Sequence, residues 1–392
     1  MGRRDRLIST SILRAIFRTG SEPEPEDEEA RPGLFVRILA FFAIFQLALS
    51  RYRAKVFRTL RNQIWQIEEE EYAESFRSPS KSKRTDLVAI GDLGYSGSVR
   101  QVFREMICDT NCPKTFFTTP NSKYLIKSLP RAFEQSFFRD RLLNPYVEHM
   151  KLNENSLLVR ITDLLHCPTP TLGAAIGAAP SHHIVMENIL YGKSACSKHH
   201  QKQWETYDLK PSDYFYPERD VAGGRLAPQS VKERLIDEFP DKIRVTIDQK
   251  EDLVAQLTRD SQILQASNAV DYSLFLVRYP ADLESVPTLP GRGSPWRDGV
   301  VSRDGKWVYR AILLDFFWSK DALQAHTLTG LVKLYNTLKW GKDHGPMSIT
   351  TTSDEYRQRF LRMVEDMVEV PDSSGRPAGA PRVGTSGGVN GS

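Results

Sequence analysis

The chain has 392 residues, 40% of them hydrophobic and 26% charged, and a formal net charge of +4. That is enough apolar material for one large domain of two lobes, or for two domains, with a sizeable core. The mildly basic balance suits an anionic partner such as a membrane surface or a nucleotide and is too small to point to nucleic acid.

The first twenty residues are basic and weakly amphipathic, and "SEPEPEDEEARP" after them is an acidic, proline-bearing run expected to be disordered. "GLFVRILAFFAIFQLALS", residues 33–50, is apolar but interrupted by Arg37 and Gln46. A spanning helix needs about 20 apolar residues, so an interfacial helix or a helix buried on the domain is favoured over a transmembrane anchor. From Lys55 the pattern becomes globular. "VFRTLRNQIWQIEEEEYAESF" has helical spacing, and "FFTTPNSKYLIKSL" predicts two strands about a Pro-Asn-Ser turn. The four cysteines, Cys108, Cys112, Cys167 and Cys196, form no disulfide framework, and nothing resembles a cleavable secretory signal. A reducing compartment is therefore expected, and scattered thiols are favoured over a zinc site built from Cys108 and Cys112 with Cys196 or His199.

"AFEQSFFRDRLLNPYVEHM" predicts a helix with an aromatic stripe, and "HHIVMENILYG" a buried strand running into a loop. "QKEDLVAQLTRDSQILQASNAV" predicts an amphipathic helix ending at Asp271, and "LPGRGSPWRDGVVSRDGKW" a loop. "VYRAILLDFFW" predicts a strand with Asp315 at its end, and "SDEYRQRFLRMVEDMVEV" a last helix capped by Ser353. The Gly/Pro/Ser-rich tail from residue 371 is expected to be disordered. Strands first and helices later predict an α+β fold with an antiparallel sheet at the front.

Four features, each weak alone, occur in a meaningful order. In "GDLGYSGS", Gly94 and Gly97 allow backbone N–H groups to approach a phosphate and Ser96 adds a donor, although a plain glycine turn is the better reading of that stretch by itself. Lys127 lies inside the apolar strand "YLIKSL", where a lysine needs a partner, and Glu134 on the next helix is the candidate. Asp271 follows a long helix at the mouth of an apolar strand, a costly place for a carboxylate unless it is paired, metal-bound or catalytic, although a cap or turn aspartate is the favoured reading of that stretch by itself. Asp315 follows three apolar residues in "ILLDFFW". Glycine loop, strand lysine, helical glutamate, loop aspartate and strand-end aspartate is the order of parts that phosphoryl transfer from ATP requires.

With these parts, "NENSLLVRI", "ETYDLKPSDY", "AVDYSLFLV", "AILLDFFW" and "ITTTSDEYRQRFLRMV" resemble, in order, the motifs of the phosphatidylinositol phosphate kinase family. The resemblance runs from about Phe57 to Met367 and is closest to phosphatidylinositol-4-phosphate 5-kinases. It implies a two-lobed α+β fold of the SAICAR synthase-like kind, with an N-terminal lobe at 55–190 and a C-terminal lobe at 191–369. Residues 1–54 would be an N-terminal tail and 370–392 a disordered one. It implies ATP-dependent phosphorylation of the inositol ring of a phosphoinositide, with Mg²⁺. Lys127 would hold the nucleotide phosphates, Asp271 would sit by the attacking hydroxyl, and Asp315 would bind the metal. Asp208 and Lys210 match the family's Asp-Leu-Lys, with Lys210 poised towards the γ-phosphate or a lipid phosphate. Segment 337–352 falls where the family keeps its activation segment; Lys339, Lys342 and His344 with Trp340 suit an anionic membrane, each cation contributing about 1 kcal/mol near it. A peripheral membrane protein of the cytoplasm follows, with a homodimer among the states allowed.

The chain departs from the family in three places. Pro211 replaces the glycine after Asp-Leu-Lys, which removes an N–H from that backbone. Residues 99–114 intervene between the glycine loop and the next strand, either as an insertion or as translated non-coding sequence, the latter being favoured. The stretch between Lys210 and Asp271 follows a divergent pattern. The runner-up reading is accordingly a catalytically impaired module that binds phosphoinositides or a protein. A soluble-metabolite synthetase is disfavoured by the basic, aromatic segment, and a protein kinase by the missing His-Arg-Asp context of "AVDYSL".

Overall fold

The structure, a computed structural model, describes residues 3–18, 45, 47–77, 87–90, 116–168, 171–175, 179–211, 239–283, 286–320 and 352–370. Helix α1 (Arg3–Phe17) opens the chain and is more than the tail its basic character suggests. Its apolar residues Ile8, Ile12, Leu13 and Ile16 are buried in one core with Leu47 and Leu49, the last residues of the apolar run at 33–50. The hydroxyls of Ser9 and Ser11 accept the N–H groups of Leu87 and Leu47 at 3.2 and 3.1 Å. No described helix is long and apolar enough to cross a membrane.

Strand β1 (Ser50–Tyr52) leads into α2 (Ala54–Thr59), which loosens into a π turn over Leu60–Ile64, and then α3 (Glu69–Glu74). The single helix read from 56–76 is therefore two, parted where Gln66 takes a positive φ of 56°. Strands β2 (Val88–Ile90), β3 (Phe116–Thr118) and β4 (Tyr124–Leu129) follow, the last two joined by the expected turn. Helix α4 (Ala132–Ser136), a π turn and α5 (Leu143–Leu152) then precede β5 (Ile161–His166). A short α6 (Leu172–Ala175) and β6 (His182–Glu187) complete this part. The six strands form an antiparallel sheet in the order β1-β5-β6-β4-β3-β2.

A short α7 (Lys198–Gln201) precedes β7 (Glu205–Leu209). Strand β8 (Ile243–Arg244) and α8 (Ile247–Ala266) come next. A capping box starts α8: the Gln249 N–H donates to the Thr246 hydroxyl at 3.3 Å, and the Thr246 N–H to the Gln249 side chain at 2.9 Å. Then come β9 (Ala269–Val270), β10 (Ser273–Pro280), a short α9 (Pro295–Asp298), β11 (Val300–Val301), β12 (Trp307–Leu314) and β13 (Trp318–Ser319). Helix α10 (Ser353–Met367) and β14 (Val368–Glu369) end the described chain. The residue capping α10 is Thr352, whose hydroxyl accepts the Glu355 N–H at 3.1 Å, and not Ser353 as the sequence suggests. A second antiparallel sheet runs β11-β12-β10-β7, and two small ladders pair β13 with β9 and β14 with β8.

The two larger sheets meet at residues 156–159. The Leu313 N–H of β12 donates to the Leu157 carbonyl at 2.7 Å, and the Val159 N–H returns to the Leu313 carbonyl at 2.9 Å. Asp260 of α8, fully buried, holds the same segment from behind. Its carboxylate accepts the Leu157 N–H and His149 Nε2 at 2.6 Å and the Ser156 hydroxyl at 2.8 Å. This fold is mixed α and β with antiparallel sheets, as expected.

Candidate active site

Strands β10 and β12 are antiparallel neighbours from Ser273↔Leu314 to Pro280↔Trp307. Beyond Ser273 and Leu314 that ladder stops, and a second one, Val270↔Trp318, begins three residues away on one strand and four on the other. Each strand is broken in this gap by an aspartate with left-handed backbone: Asp271 at φ 63° and Asp315 at φ 61°. Asn and Asp tolerate that region better than other residues with a Cβ, which is one reason both breaks carry a short carboxylate. The polar start of "AVDYSLFLV" is therefore a break between two ladders and not the mouth of one continuous strand.

Two lysines enter the gap from opposite sides. Lys210, one residue beyond β7, donates from Nζ to the Asp271 carboxylate at 2.6 Å and to the Asp271 carbonyl at 2.8 Å. Lys127 of β4, on the six-stranded sheet, pairs with the Asp315 carboxylate and lies 5.2 Å above the centre of the Phe317 ring. The side chains of Asp315 and Asp271 keep 39% and 24% of their exposure, against 14% and 12% for the lysines. The carboxylates thus face solvent with the ammonium groups behind them. Burial by itself would lower the Lys210 ammonium, but the charges of Asp271, Asp208 and Asp315 outweigh it and hold Lys210 above its ordinary value of 10.5.

The structure therefore brings together Lys127, Asp208, Lys210, Asp271 and Asp315. Glu134 does not join them as the partner of Lys127. Its carboxylate takes Arg131 at 3.2 Å, one helical turn away, and Lys127 is drawn across to Asp315 instead. Gly94, Ser96, Gly97, Lys339, Trp340 and Lys342 lie outside the described residues, as do residues 99–114. Sequence reading missed Phe317, which an aromatic run in an apolar strand gives no reason to single out. It also missed Tyr356, whose hydroxyl donates to the Tyr272 carbonyl. Beside Lys210, Pro211 borders an open groove with Phe239, Lys242, Arg244, Arg359 and Arg362. Most of that groove's cations are already engaged: Lys242 by a carbonyl of α10, Arg244 by Asp241 and Glu369, and Arg359 by Glu355.

Among the described residues no three acidic, histidine or cysteine side chains converge to enclose a metal ion. An exposed carboxylate, with oxygen atoms from a substrate and water, is a donor set Mg²⁺ takes in phosphate chemistry, and Asp315 fits it.

Comparison with known proteins bears on part of this site, the stretch that carries Lys127, Asp208, Lys210 and Asp271 but not Asp315. Residues 98–288 match the family model of the phosphatidylinositol-4-phosphate 5-kinases. A Dictyostelium discoideum protein named "Probable phosphatidylinositol phosphate kinase" is 30% identical over 180 residues, 45% of this chain and 22% of that protein. The phosphatidylinositol 4-phosphate 5-kinase of Plasmodium falciparum is 26% identical over 231 residues, 58% of this chain and 12% of its own length. The phosphatidylinositol 4-phosphate 5-kinase 1 of Arabidopsis thaliana is 24% identical over 173 residues, 44% of this chain and 21% of its own. The chain is thus related to the phosphatidylinositol phosphate kinases, as its motifs suggest, and it spans less than a quarter of the length of each of these relatives.

Proposed function

We propose that the chain is an ATP-dependent lipid kinase that phosphorylates the inositol ring of a phosphatidylinositol monophosphate, converting phosphatidylinositol 4-phosphate to the 4,5-bisphosphate. The observation that carries this reading is the pair of left-handed aspartates, Asp271 and Asp315, side by side in one gap with Lys210 and Lys127 behind them. Phosphoryl transfer depends on positioning and on charge placed around the phosphate, and both kinds of charge are present there. Lys127 holds the nucleotide phosphates, releasing Asp315 to the metal. Lys210 neutralises charge on the transferred phosphate, and its buried stem fixes where that charge is offered. Asp271 accepts a hydrogen bond from the attacking ring hydroxyl and orients it. Asp208 sustains the charge of Lys210 from the adjoining strand. Asp315 would hold Mg²⁺, which would supply neutralisation of charge on the transferring group when bound.

The same reading takes the six-stranded sheet with its helices as one lobe and the rest as a second, divided near residue 190, in the SAICAR synthase-like manner. Gly94, Ser96 and Gly97 cradle phosphate, and Lys339, Trp340 and Lys342 face an anionic membrane to which the protein is peripherally bound. A homodimer is compatible with it. A second reading, a binding module without turnover, is favoured by one observation: Pro211 directly follows Lys210, where a backbone N–H is lost.

The test is transfer of labelled phosphate from ATP to phosphatidylinositol monophosphates in liposomes. The unsubstituted chain labels lipid, and Asp271→Asn, equal in size, lowers the rate by about 10²–10⁴-fold. Lipid binding with no labelling of any monophosphate, at any Mg²⁺ concentration, would give the protein to the second reading.

A further inference from the structure

The break that presents Asp271 leaves two consecutive carbonyls, those of Asp271 and Tyr272, between the β9 and β10 ladders and without sheet partners. Buried backbone acceptors of this kind must be satisfied elsewhere. Lys210 takes the Asp271 carbonyl at 2.8 Å. The Tyr272 carbonyl is taken by the hydroxyl of Tyr356, a fully buried residue of α10.

Other contacts tie α10 to the same turn. The Tyr356 and Phe360 rings meet the Tyr272 ring edge to face, with centres 4.7 and 5.1 Å away. Ser353, freed from capping duty by Thr352, donates from its hydroxyl to the Asn268 side chain at 3.2 Å. Asn268 is itself left-handed, with φ 61°, at the far end of the turn. Helix α10 is in turn fastened to α8, where Arg357 donates to the Ser261 hydroxyl and the Thr258 carbonyl, both at 3.1 Å.

We infer that Tyr356 is a positioning residue for Asp271: its hydroxyl holds the Tyr272 carbonyl and thereby fixes the left-handed turn that aims the carboxylate. The inference rests on the role proposed for Asp271. It adds that the last helix sets the aim of the site, because the turn is held from one side by Lys210 and from the other by α10.

Tyr356→Phe removes the hydroxyl and keeps the ring contacts, so it tests the hydrogen bond alone. Phe360→Leu loosens the same packing and leaves the hydrogen bond in place. Two readouts are compared: hydrogen exchange of the amides at 271–273, and steady-state phosphorylation of phosphatidylinositol 4-phosphate in liposomes. With Tyr356→Phe those amides exchange at least about tenfold faster while the interiors of β10 and α10 stay protected. The kcat falls by about 10- to 100-fold with KM for ATP unchanged. Phe360→Leu lowers the melting temperature without that selective loss of kcat. Unchanged exchange in Tyr356→Phe overturns the inference, and so does a kcat loss that Phe360→Leu reproduces. If the unsubstituted chain phosphorylates no lipid and Tyr356→Phe still frees the turn, the kinase reading falls and the support of the turn by Tyr356 stands.

Discussion

At Lys210 two opposed effects set the charge of the site. Burial disfavours an ammonium ion, and three carboxylates around it favour one more strongly, so its proton affinity is raised. A lysine raised above its ordinary value stays charged below about pH 10, and the stability it brings is lost only as pH rises through its folded value. Replacing it changes the sign of the problem: Lys210→Met leaves Asp271 without its ammonium partner and Asp208 and Asp315 without that neighbouring charge, Asp315 keeping Lys127. Breaking a buried pair by removing one partner costs about 3–5 kcal/mol, and the exposure left to Asp271 places this case at the lower end. Urea denaturation of the variant and of the unsubstituted chain at neutral pH measures this, and an unchanged midpoint would show that Lys210 does not stabilise the site. Lys127, Asp271 and Asp315, each weak alone, were singled out in the sequence by their order along the chain. Tyr356 was not, since a tyrosine on the buried side of a helix looks like core and its hydroxyl partner is 84 residues away. The direction of Glu134 was misread for a related reason. Sequence order makes it the nearest carboxylate to Lys127 but says nothing of Asp315, brought in from the other sheet.

Elements with strong periodicity or a clear turn were legible in outline, and their breaks were not. Strands β3, β4 and β6 and helices α5, α8 and α10 lie where apolar spacing places them. The gap in "AVDYSLFLV" needed knowledge of two different partners, β13 for one half and β12 for the other. The buried polar groups inside elements carry a measurable consequence in β6. His183 is fully buried in the middle of the six-stranded sheet, between Ser128 of β4 and Leu165 of β5 in register. Burial, with smaller contributions from His182 and Arg4, pushes it from 6.5 down to about 3. The folded protein therefore keeps this ring neutral where the unfolded chain charges it, and stability falls as pH drops below 6.5 and continues to fall towards pH 3. Between pH 7 and pH 5 this one residue accounts for about 2 kcal/mol. His182, lowered to about 4 and only half-buried, adds to the same trend. In His183→Gln the drop in unfolding free energy between pH 7 and pH 5 shrinks by about that amount. An equal drop in both proteins would mean that the ring is solvated or already charged in the folded state.

At the scale of the molecule, the loop after β10 joins the two larger sheets, and three buried arginines fasten it. Arg160, just before β5, donates to the Pro290 carbonyl at 3.0 Å and also reaches the Arg292 carbonyl. Arg297 of α9 donates to the Ser156 and Leu158 carbonyls at 2.9 and 3.2 Å and lies against Glu187 of β6. Arg310 of β12 donates to the carbonyls of Tyr191 at 2.8 Å and Pro287 at 2.7 Å. Backbone comes so close here that a Cβ on Gly291 would stand 2.4 Å from the Trp65 carbonyl, and one on Gly293 2.2 Å from Arg160. "LPGRGSPWRDGVVSRDGKW" reads as a loop but also holds the short α9 and β11; its task as a tie between sheets lies in arginine hydrogen bonds that span 119–141 residues of sequence. The three guanidinium groups are buried and donate to carbonyls, with Nε of Arg297 left without a hydrogen bond, so losing one strands acceptors in the core, at about 3–5 kcal/mol. Two sheets tied in this way should unfold together. In urea, tryptophan fluorescence, with Trp65 near one sheet and Trp204, Trp296 and Trp307 near the other, and far-ultraviolet circular dichroism should give coincident transitions. In Arg297→Met the tie between α9 and the 156–158 carbonyls is cut while the loop keeps its length. The midpoint falls, and the two signals separate as each sheet begins to melt on its own. Separate transitions already in the unsubstituted protein would mean that the junction at 156–159 and the arginines do not couple the sheets, and that each sheet is stable with its own packing.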